Sequence, residues 1–237
     1  MKASPRIDVA IPTWHRPEKL KVCVESLLNG SYGNVRVFIL CTDQNELFRY
    51  AKQWEGDGRV RCEITDYSKV STCWNSFVAK SEGDYLLFLC DDTSLDPDCL
   101  TNAVDIMRRE FPDGDGLLGF NVTNYPPSWP EKITQMGFRF VGRKFHLRFP
   151  PGQAYCPEYY RFYVDTEMGL YAKKVGRFRY AENCRMQHFH PNAPGGTLDE
   201  THYANRGEKQ IWDNEIWKAR QKAGYLWGVT TETVGIR

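Results

Sequence analysis

The stretch YLLFLCDDTSLDP, residues 85–97, joins a run of apolar residues to two adjacent carboxylates, Asp91 and Asp92. The apolar run is short and rich in aliphatic and aromatic side chains, which predicts a strand buried on both faces. Two adjacent carboxylates repel each other unless a cation neutralises them, and hard cations such as Mg²⁺ and Mn²⁺ take oxygen ligands. The stretch therefore predicts a divalent cation site at the end of a strand, although aspartates also occur where a turn or a helix begins.

Apolar runs and helical patterns alternate on either side of this stretch. Apolar runs predict strands, and residues recurring at spacings of three and four between them predict helices. The predicted strands are 6–13, 35–41, 60–67, 84–90 and 115–122, and the predicted helices are 18–28, 44–55, 71–81 and 97–110. This alternation predicts an α/β fold with a doubly wound, mostly parallel sheet. Ligands of such sheets bind beyond the carboxyl ends of the strands, where Asp91 and Asp92 lie.

Composition narrows the class of protein. The 237 residues are 41% hydrophobic and 26% charged, as in ordinary soluble domains, and the net charge of +1 gives no reason to expect a polyanionic partner. No apolar run approaches the roughly 18–20 residues that cross a bilayer, and the N-terminus shows no apolar signal segment. Eight scattered cysteines form no CxxC pair. We therefore expect a cytoplasmic protein with reduced cysteines and no membrane partner.

Two blocks of sequence resemble the GT-A glycosyltransferases, in particular the large inverting group that uses nucleotide-diphosphate sugars. VAIPTWHRPEKLKVCVESLL (9–28) resembles that group's first strand and helix. STCWNSFVAKSEGDYLLFLCDDTSLDP (71–97) resembles its central block, with an asparagine on the third helix and an acidic motif of the Asp-x-Asp type. The chain departs from that motif in one place, since Cys90 stands at the first aspartate and Asp92 at the second.

The resemblance implies a metal site for Mn²⁺ or Mg²⁺. Asp92 is the implied metal ligand, and Asp91 the implied contact to the ribose or to the metal. In this group a histidine late in the fold completes the site, and CRMQHFHP (184–191) offers His188 and His190 on one face of a short predicted strand. A lone histidine is usually structural, but this pair among only five histidines favours a metal role, His188 first.

An inverting transfer also needs a base that takes the acceptor's proton. FYVDTEMGLYAKKVGRF (162–178) resembles the group's acidic helix start, and the match puts Asp165 in the position of the base. Asp165 could equally cap that helix, and both roles are compatible. Asp199 and Asp213 are the alternative bases.

The same resemblance places the donor nucleotide across the ends of the first three strands, with uridine diphosphate as the default. The implied donor-binding residues are Thr13, Arg16, Asp43, Lys69, Asn75 and Asp91. We interpret 1–237 as one domain, in which 1–122 binds the nucleotide sugar and 123–237 forms a less regular acceptor-side or lid region. A final helix is predicted over 208–223.

One stretch suggests an acceptor. RFVGRKFHLR (139–148) interleaves basic and aromatic residues, which suits a polyanion whose bases stack on aromatic rings. A small transferase of this kind resembles those with which viruses of bacteria glycosylate hydroxymethylated pyrimidines in DNA, where the target base has to be flipped. The nearly neutral charge favours a saccharide or protein acceptor instead. The residues in question are Arg139, Arg143, Lys144 and Arg148 with Phe140, Phe145 and Phe149.

The expected function is therefore a metal-dependent, inverting glycosyltransferase. One alternative is a catalytically inactive nucleotide-sugar-binding protein, which Cys90 favours and the retention of Asp92, Asp165 and His188 disfavours. Another is a nucleotidyltransferase, but those enzymes carry a glycine-rich basic loop after the first strand, and PTWHRPEK (12–19) has no glycine.

Overall fold

Eight strands form one mixed sheet in the computed structural model, which describes residues 4–66, 68–129, 138–191, 193–194, 198–204, 207–230 and 232. The strands are β1 (Ile7–Pro12), β2 (Val35–Cys41), β3 (Val60–Ile64), β4 (Tyr85–Phe88), β5 (Thr93–Leu95), β6 (Leu117–Val122), β7 (Arg139–Gly142) and β8 (Phe178–His188). The described helices are α1 (Pro17–Leu28), α2 (Gln44–Gln53), α3 (Val70–Lys80), α4 (Cys99–Glu110), α5 (Arg143–His146), α6 (Val164–Lys174), α7 (Glu200–Ala204) and α8 (Glu208–Ala223). None of these helices combines the length and apolar character needed to cross a membrane.

The sheet is parallel on one side and mixed on the other. Its strand order is β3-β2-β1-β4-β7-β6-β8-β5. β3, β2, β1 and β4 run parallel to their neighbours, as predicted, whereas β7 is antiparallel to both β4 and β6. β8 runs parallel to β6 and antiparallel to the short β5. Because β7 lies between β4 and β6, strands from both halves of the chain share one sheet.

The sheet packs against a core layer on each of its two faces, because successive side chains of a strand point to opposite faces. In β1, Val9 packs in the same core layer as Leu20 of α1 and Val104 of α4. Its neighbour Ala10 packs in the opposite layer, with Phe77 of α3 and helices α6 and α8. This explains why β1, β2 and β4 read as continuous apolar runs, since neither face of these strands is left to water, whereas β3 at the sheet edge is partly exposed.

The basic and aromatic stretch 139–148 is mostly core. It folds as β7 and α5, and its aromatic side chains Phe140 and Phe145, with Phe149 beyond them, are buried. Arg139 is buried as well, and Arg148 is ion-paired with Asp115. These rings cannot stack on nucleic-acid bases, so the interpretation of this stretch as a nucleic-acid surface is corrected.

Candidate active site

The carboxyl ends of β1 and β4 bring the first predicted residues together. These strands are parallel neighbours with Ala10 opposite Phe88. Thr13 and Asp91 each follow these paired residues by three positions, just beyond the strand ends. Oγ1 of Thr13 donates a hydrogen bond of 2.9 Å to Oδ2 of Asp91. Both side chains are buried. The strand register thus creates the Thr13–Asp91 contact at the edge where the sequence predicts a site.

Arg16 supplies a cation to the adjacent carboxylates. Its Nη1 lies 2.9 Å from Oδ1 of Asp91 and 3.3 Å from Oδ2 of Asp92. Its Nη2 lies 2.7 Å from Oδ1 of Asp199, whose other oxygen lies 2.8 Å from Nζ of Lys19. Burial and the charge of Asp92 raise the pKa of Asp91 to about 6 despite the guanidinium. Arg16 and Lys19 therefore contact three carboxylates in this cluster.

The other oxygen of Asp92 belongs to a second group of side chains. Antiparallel pairing places Thr93 opposite His188, which brings the preceding Asp92 to the histidine ring, with Oδ1 3.1 Å from Nε2. Ligand atoms of Cys90, Asp92 and His188 all lie within 4.8 Å of one another. Sulfur, carboxylate oxygen and imidazole nitrogen are established ligands of divalent transition ions. The donor set of this triad therefore fits a bound metal ion.

Positively charged neighbours keep the Asp92 carboxylate of the triad ionised. Burial alone would raise the pKa of Asp92, but the charges of His188, Arg16 and Arg161 outweigh it and hold that pKa well below its usual range. Burial, followed by the charge of Asp92, raises the pKa of the Cys90 thiol. The carboxylate is thus ionised at neutral pH, while the thiol keeps its proton unless a cation replaces it.

His188 is held in place by Asn124 and Tyr125, two residues that no pattern in the sequence singles out. Nδ2 of Asn124 donates to the His188 carbonyl at 2.9 Å, and the His188 N–H donates to Oδ1 of Asn124 at 3.0 Å. The Tyr125 hydroxyl hydrogen-bonds Nδ1 of the ring. Metal-binding histidines usually carry such a partner on their second nitrogen, which fixes the ring. Both residues lie in a proline-rich connection that the sequence shows only as a loop.

His190, the second predicted histidine ligand, does not belong to the triad. Its ring centroid lies 5.5 Å from that of His188, and its ring packs edge-on against Trp129 at 5.7 Å. A metal role for His190 stays a prediction.

The three candidate bases lie in different surroundings. Asp165 is the second residue of α6, and its carboxylate, 38% exposed, lies 3.3 Å from Nη2 of Arg139. Asp213 is completely buried and accepts the backbone N–H groups of residues 160–162. Asp199 is 28% exposed and ion-paired. Asp213 therefore serves to shape a loop, whereas Asp165 is the most accessible carboxylate of the three.

Tyr155 is a buried residue held in place by Asn75, one of the predicted donor-binding residues. Its hydroxyl is buried and has no hydrogen-bond partner among the described residues. Burial raises the pKa of this hydroxyl, the charge of Arg139 lowers it, and the charges of Asp165 and Cys90 raise it further. Asn75 fixes Tyr155 by bonding to its N–H and its carbonyl, each at 2.9 Å. Asn75 thus positions Tyr155, and its contact with a nucleotide stays a prediction.

The remaining predicted donor-binding residues follow β2 and β3. Asp43 caps α2 by accepting the N–H groups of residues 45–46. Nζ of Lys69 donates to the Pro157 carbonyl at 3.0 Å and lies 4.9 Å from the centroid of the Tyr160 ring. Both residues lie at the carboxyl edge of the sheet, and their contacts with a nucleotide stay predictions.

Comparison with known sequences decides the family. The sequence model described as "Glycosyl transferase family 2" matches residues 8–166, which hold the first four strands and Asp165. The chain belongs to glycosyl transferase family 2. The glycosyltransferase family predicted from the two sequence blocks is confirmed.

Similar proteins agree with this family 2 assignment. Chondroitin synthase of Pasteurella multocida (strain Pm70) is 26% identical over 194 residues, covering 74% of this chain, and the chain spans 20% of that synthase. S. aureus TarS 1-349 in complex with UDP matches with a TM-score of 0.60 at 13% identity, covering 92% of this chain and 72% of that one. The mannosyltransferase PcManGT from Pyrobaculum calidifontis, in complex with GDP-Man and Mn²⁺, matches with a TM-score of 0.61 at 12% identity, covering 91% and 70%. These structures confirm the predicted glycosyltransferase fold.

Proposed function

We propose that this family 2 chain transfers a sugar from a nucleotide-diphosphate sugar to a hydroxyl acceptor, with inversion and with a divalent metal ion. The observation that carries the proposal is the joint placement of Asp91, Asp92 and His188 at the carboxyl edge of the sheet. Relatives of the same fold bind UDP and GDP-Man, which supports a nucleotide-diphosphate donor. Uridine diphosphate stays our default nucleotide.

Charged side chains around the triad suit a diphosphate. Arg16 contacts both aspartates, and the charge of Arg161 acts on Asp92 and on Cys90. Asp213 fixes the loop that carries Arg161 by accepting its backbone N–H at 2.8 Å. A divalent ion held by Asp92 and His188 would neutralise the diphosphate as it leaves. The two arginines would then bind the phosphate oxygens that the ion does not contact.

Asp165 is the proposed base. The acceptor oxygen attacks the anomeric carbon, the bond from that carbon to the diphosphate oxygen breaks, and the hydroxyl proton moves to the Asp165 carboxylate. The 38% exposure of this side chain leaves it accessible to an acceptor, and Arg139 orients it. The buried Tyr155 hydroxyl, which has no hydrogen-bond partner among the described residues, is the proposed hydrogen-bonding partner of the donor sugar.

A saccharide is the proposed acceptor. The relative named chondroitin synthase points to saccharide chemistry. The stretch that suggested DNA now offers little support, because Phe140 and Phe145 are completely buried and Arg139 is ion-paired with Asp165.

The test is a screen of UDP-sugars and GDP-sugars with Mn²⁺, Mg²⁺ or excess chelator, read out as released nucleotide. Slow hydrolysis by water reveals the donor before the acceptor is known. We expect release that depends on one donor and on a metal ion. Equal nucleotide release in excess chelator would contradict the proposed metal dependence. Binding of a nucleotide sugar without any nucleotide release would favour the alternative of a catalytically inactive binding protein. Adding oligosaccharides, or hydroxymethylated and plain DNA duplexes, identifies the acceptor by the product formed.

A further inference from the structure

Cys90 distinguishes this site from the acidic motif that the chain otherwise resembles. We propose that Cys90 is itself a metal ligand, so that the site is a mixed sulfur, oxygen and nitrogen centre that favours a borderline ion such as Zn²⁺ or Co²⁺ more than an all-oxygen motif would. The inference rests on the proposed function for the location of the metal site, and it adds the identity of a ligand and the class of ion.

The distances within the triad suit a single ion. Zinc–ligand bonds are about 2.0–2.3 Å long, so two ligands of one ion lie at most about 4.6 Å apart. Ligand atoms of Cys90, Asp92 and His188 lie within 4.8 Å of one another before any ion draws them together. Small side-chain adjustments are therefore enough to close the site.

The backbone of each ligand residue is held by its own partners. The Cys90 carbonyl accepts a hydrogen bond of 2.8 Å from the Thr93 hydroxyl, and the Asp92 carbonyl accepts one of 2.8 Å from the N–H of Phe189. His188 is held by Asn124 through both backbone groups. A ligand set fixed in this way loses little conformational entropy when it binds an ion.

Asp92 has an oxygen to offer on the side of His188. Its Oδ2 faces Arg16 at 3.3 Å, whereas its Oδ1 faces His188 at 3.1 Å. An ion on the Oδ1 side therefore need not displace the guanidinium. A cysteine beside a carboxylate and an imidazole is also poorly explained as a small apolar filler, the usual role of a free buried cysteine.

The chemical consequence is a change of metal preference. Carboxylate and water ligands suit Mg²⁺ and Mn²⁺, while a thiolate favours softer ions. The thiol proton leaves to solvent as the sulfur–metal bond forms. Three protein ligands leave a coordination position for a donor phosphate oxygen, as catalytic zinc sites do.

Co²⁺ gives a direct readout, because a thiolate ligand produces a sulfur-to-cobalt charge-transfer absorption that oxygen and nitrogen ligands do not. The proteins to titrate with Co²⁺ are the wild type, Cys90→Ser and the matched control Cys62→Ser, which alters another partly exposed cysteine. We expect the absorption in the wild type and in Cys62→Ser, and its loss in Cys90→Ser. Its persistence in Cys90→Ser, or its absence from the wild type at saturating Co²⁺, would overturn the inference.

A second variant measures the preference itself. Cys90→Asp restores the usual acidic spacing, so the ratio of Zn²⁺ to Mn²⁺ affinity should fall by about tenfold or more. An unchanged ratio contradicts the inference. Metal-dependent nucleotide release, assayed on the same preparations, separates the two claims. Release without a thiolate absorption defeats the Cys90 ligand alone, whereas a thiolate absorption without any release defeats the proposed function alone.

Discussion

Two buried arginines in this fold contact buried carboxylates, and the two clusters differ in what else they contain. In the second half, Nε of Arg220 lies 2.9 Å from Oε1 of Glu167, and that oxygen also accepts the backbone N–H of Trp227 at 3.0 Å. Oε2 of Glu167 faces the same Arg220 nitrogen at 3.1 Å. Both carboxylate oxygens of Glu167 therefore face hydrogen-bond donors. These contacts connect α6 to α8 and to the segment that follows α8.

The cluster around Arg16 is arranged differently. One oxygen of Asp92 forms an ion pair with Arg16, and the other faces His188 within the triad of Cys90, Asp92 and His188. A buried ion pair on its own is thus no sign of a functional site. What marks the site is a group of metal-ligand atoms that the protein's own cations do not fully use, at the open edge of a parallel sheet.

The largest expected effect concerns Asp165, the proposed base on α6. Asp165→Asn keeps the shape of the side chain but cannot accept a proton, so the transfer rate should fall by about 10²- to 10⁴-fold. Donor affinity should stay near that of the wild type, while the melting temperature should fall somewhat, because Asp165 neutralises the buried Arg139. The measurements are kcat with the identified acceptor and equilibrium binding of the nucleotide sugar. If Asp199→Asn shows this loss and Asp165→Asn does not, the base is misassigned.

The second-largest expected effect is on the free energy of unfolding, and it concerns the Arg220 cluster. Arg220→Met removes the cation and leaves Glu167 charged and buried, which should cost about 3–5 kcal/mol of unfolding free energy. Metal affinity per folded molecule should not change, because no residue of this cluster belongs to the triad. Denaturant unfolding and a metal titration on the folded fraction check both parts. A loss of metal affinity without a loss of stability would reverse the roles given to the two clusters.

The smallest effect concerns the support of His188. Tyr125→Phe removes the hydroxyl that contacts Nδ1, so metal affinity should fall by about 10- to 100-fold with the fold intact. Tyr32→Phe is a matched control, since it deletes a tyrosine hydroxyl that bonds only to the Pro5 carbonyl among the described residues. Titration calorimetry gives both affinities. Equal affinity in the two variants would show that Tyr125 has no positioning role.

The first half of the fold was predictable from sequence because its signals are local. Short apolar runs alternating with helical patterns specify β1 to β4 and α1 to α4, and the observed bounds differ from the predicted ones by a few residues. The parallel register then follows, and with it the meeting of Thr13 and Asp91.

The structure of the second half depends on contacts between residues that are distant in sequence. Arg139 and Phe140 alternate in a way that suggested a surface, yet both are buried, because β7 pairs with β4 and β6 and Asp165 neutralises the arginine. No local pattern contains that information.

The proposed ligand role of Cys90 has no local signal in the sequence, for a related reason. A cysteine that ends an apolar run usually belongs to the core. Only the pairing of β5 with β8 brings His188 beside Asp92 and makes the sulfur a third ligand atom.

The most direct test of the central claim is the linkage between metal and nucleotide binding in Asp92→Asn. Binding of a nucleoside diphosphate is measured with and without the divalent ion that best supports nucleotide release, in the wild type, in Asp92→Asn and in the control Asp105→Asn, which alters an exposed carboxylate on α4. The metal should strengthen nucleotide binding in the wild type and in Asp105→Asn, and should have no effect in Asp92→Asn, with all three proteins folded by circular dichroism. The same metal-dependent gain in Asp92→Asn would contradict the assignment of the metal to this triad.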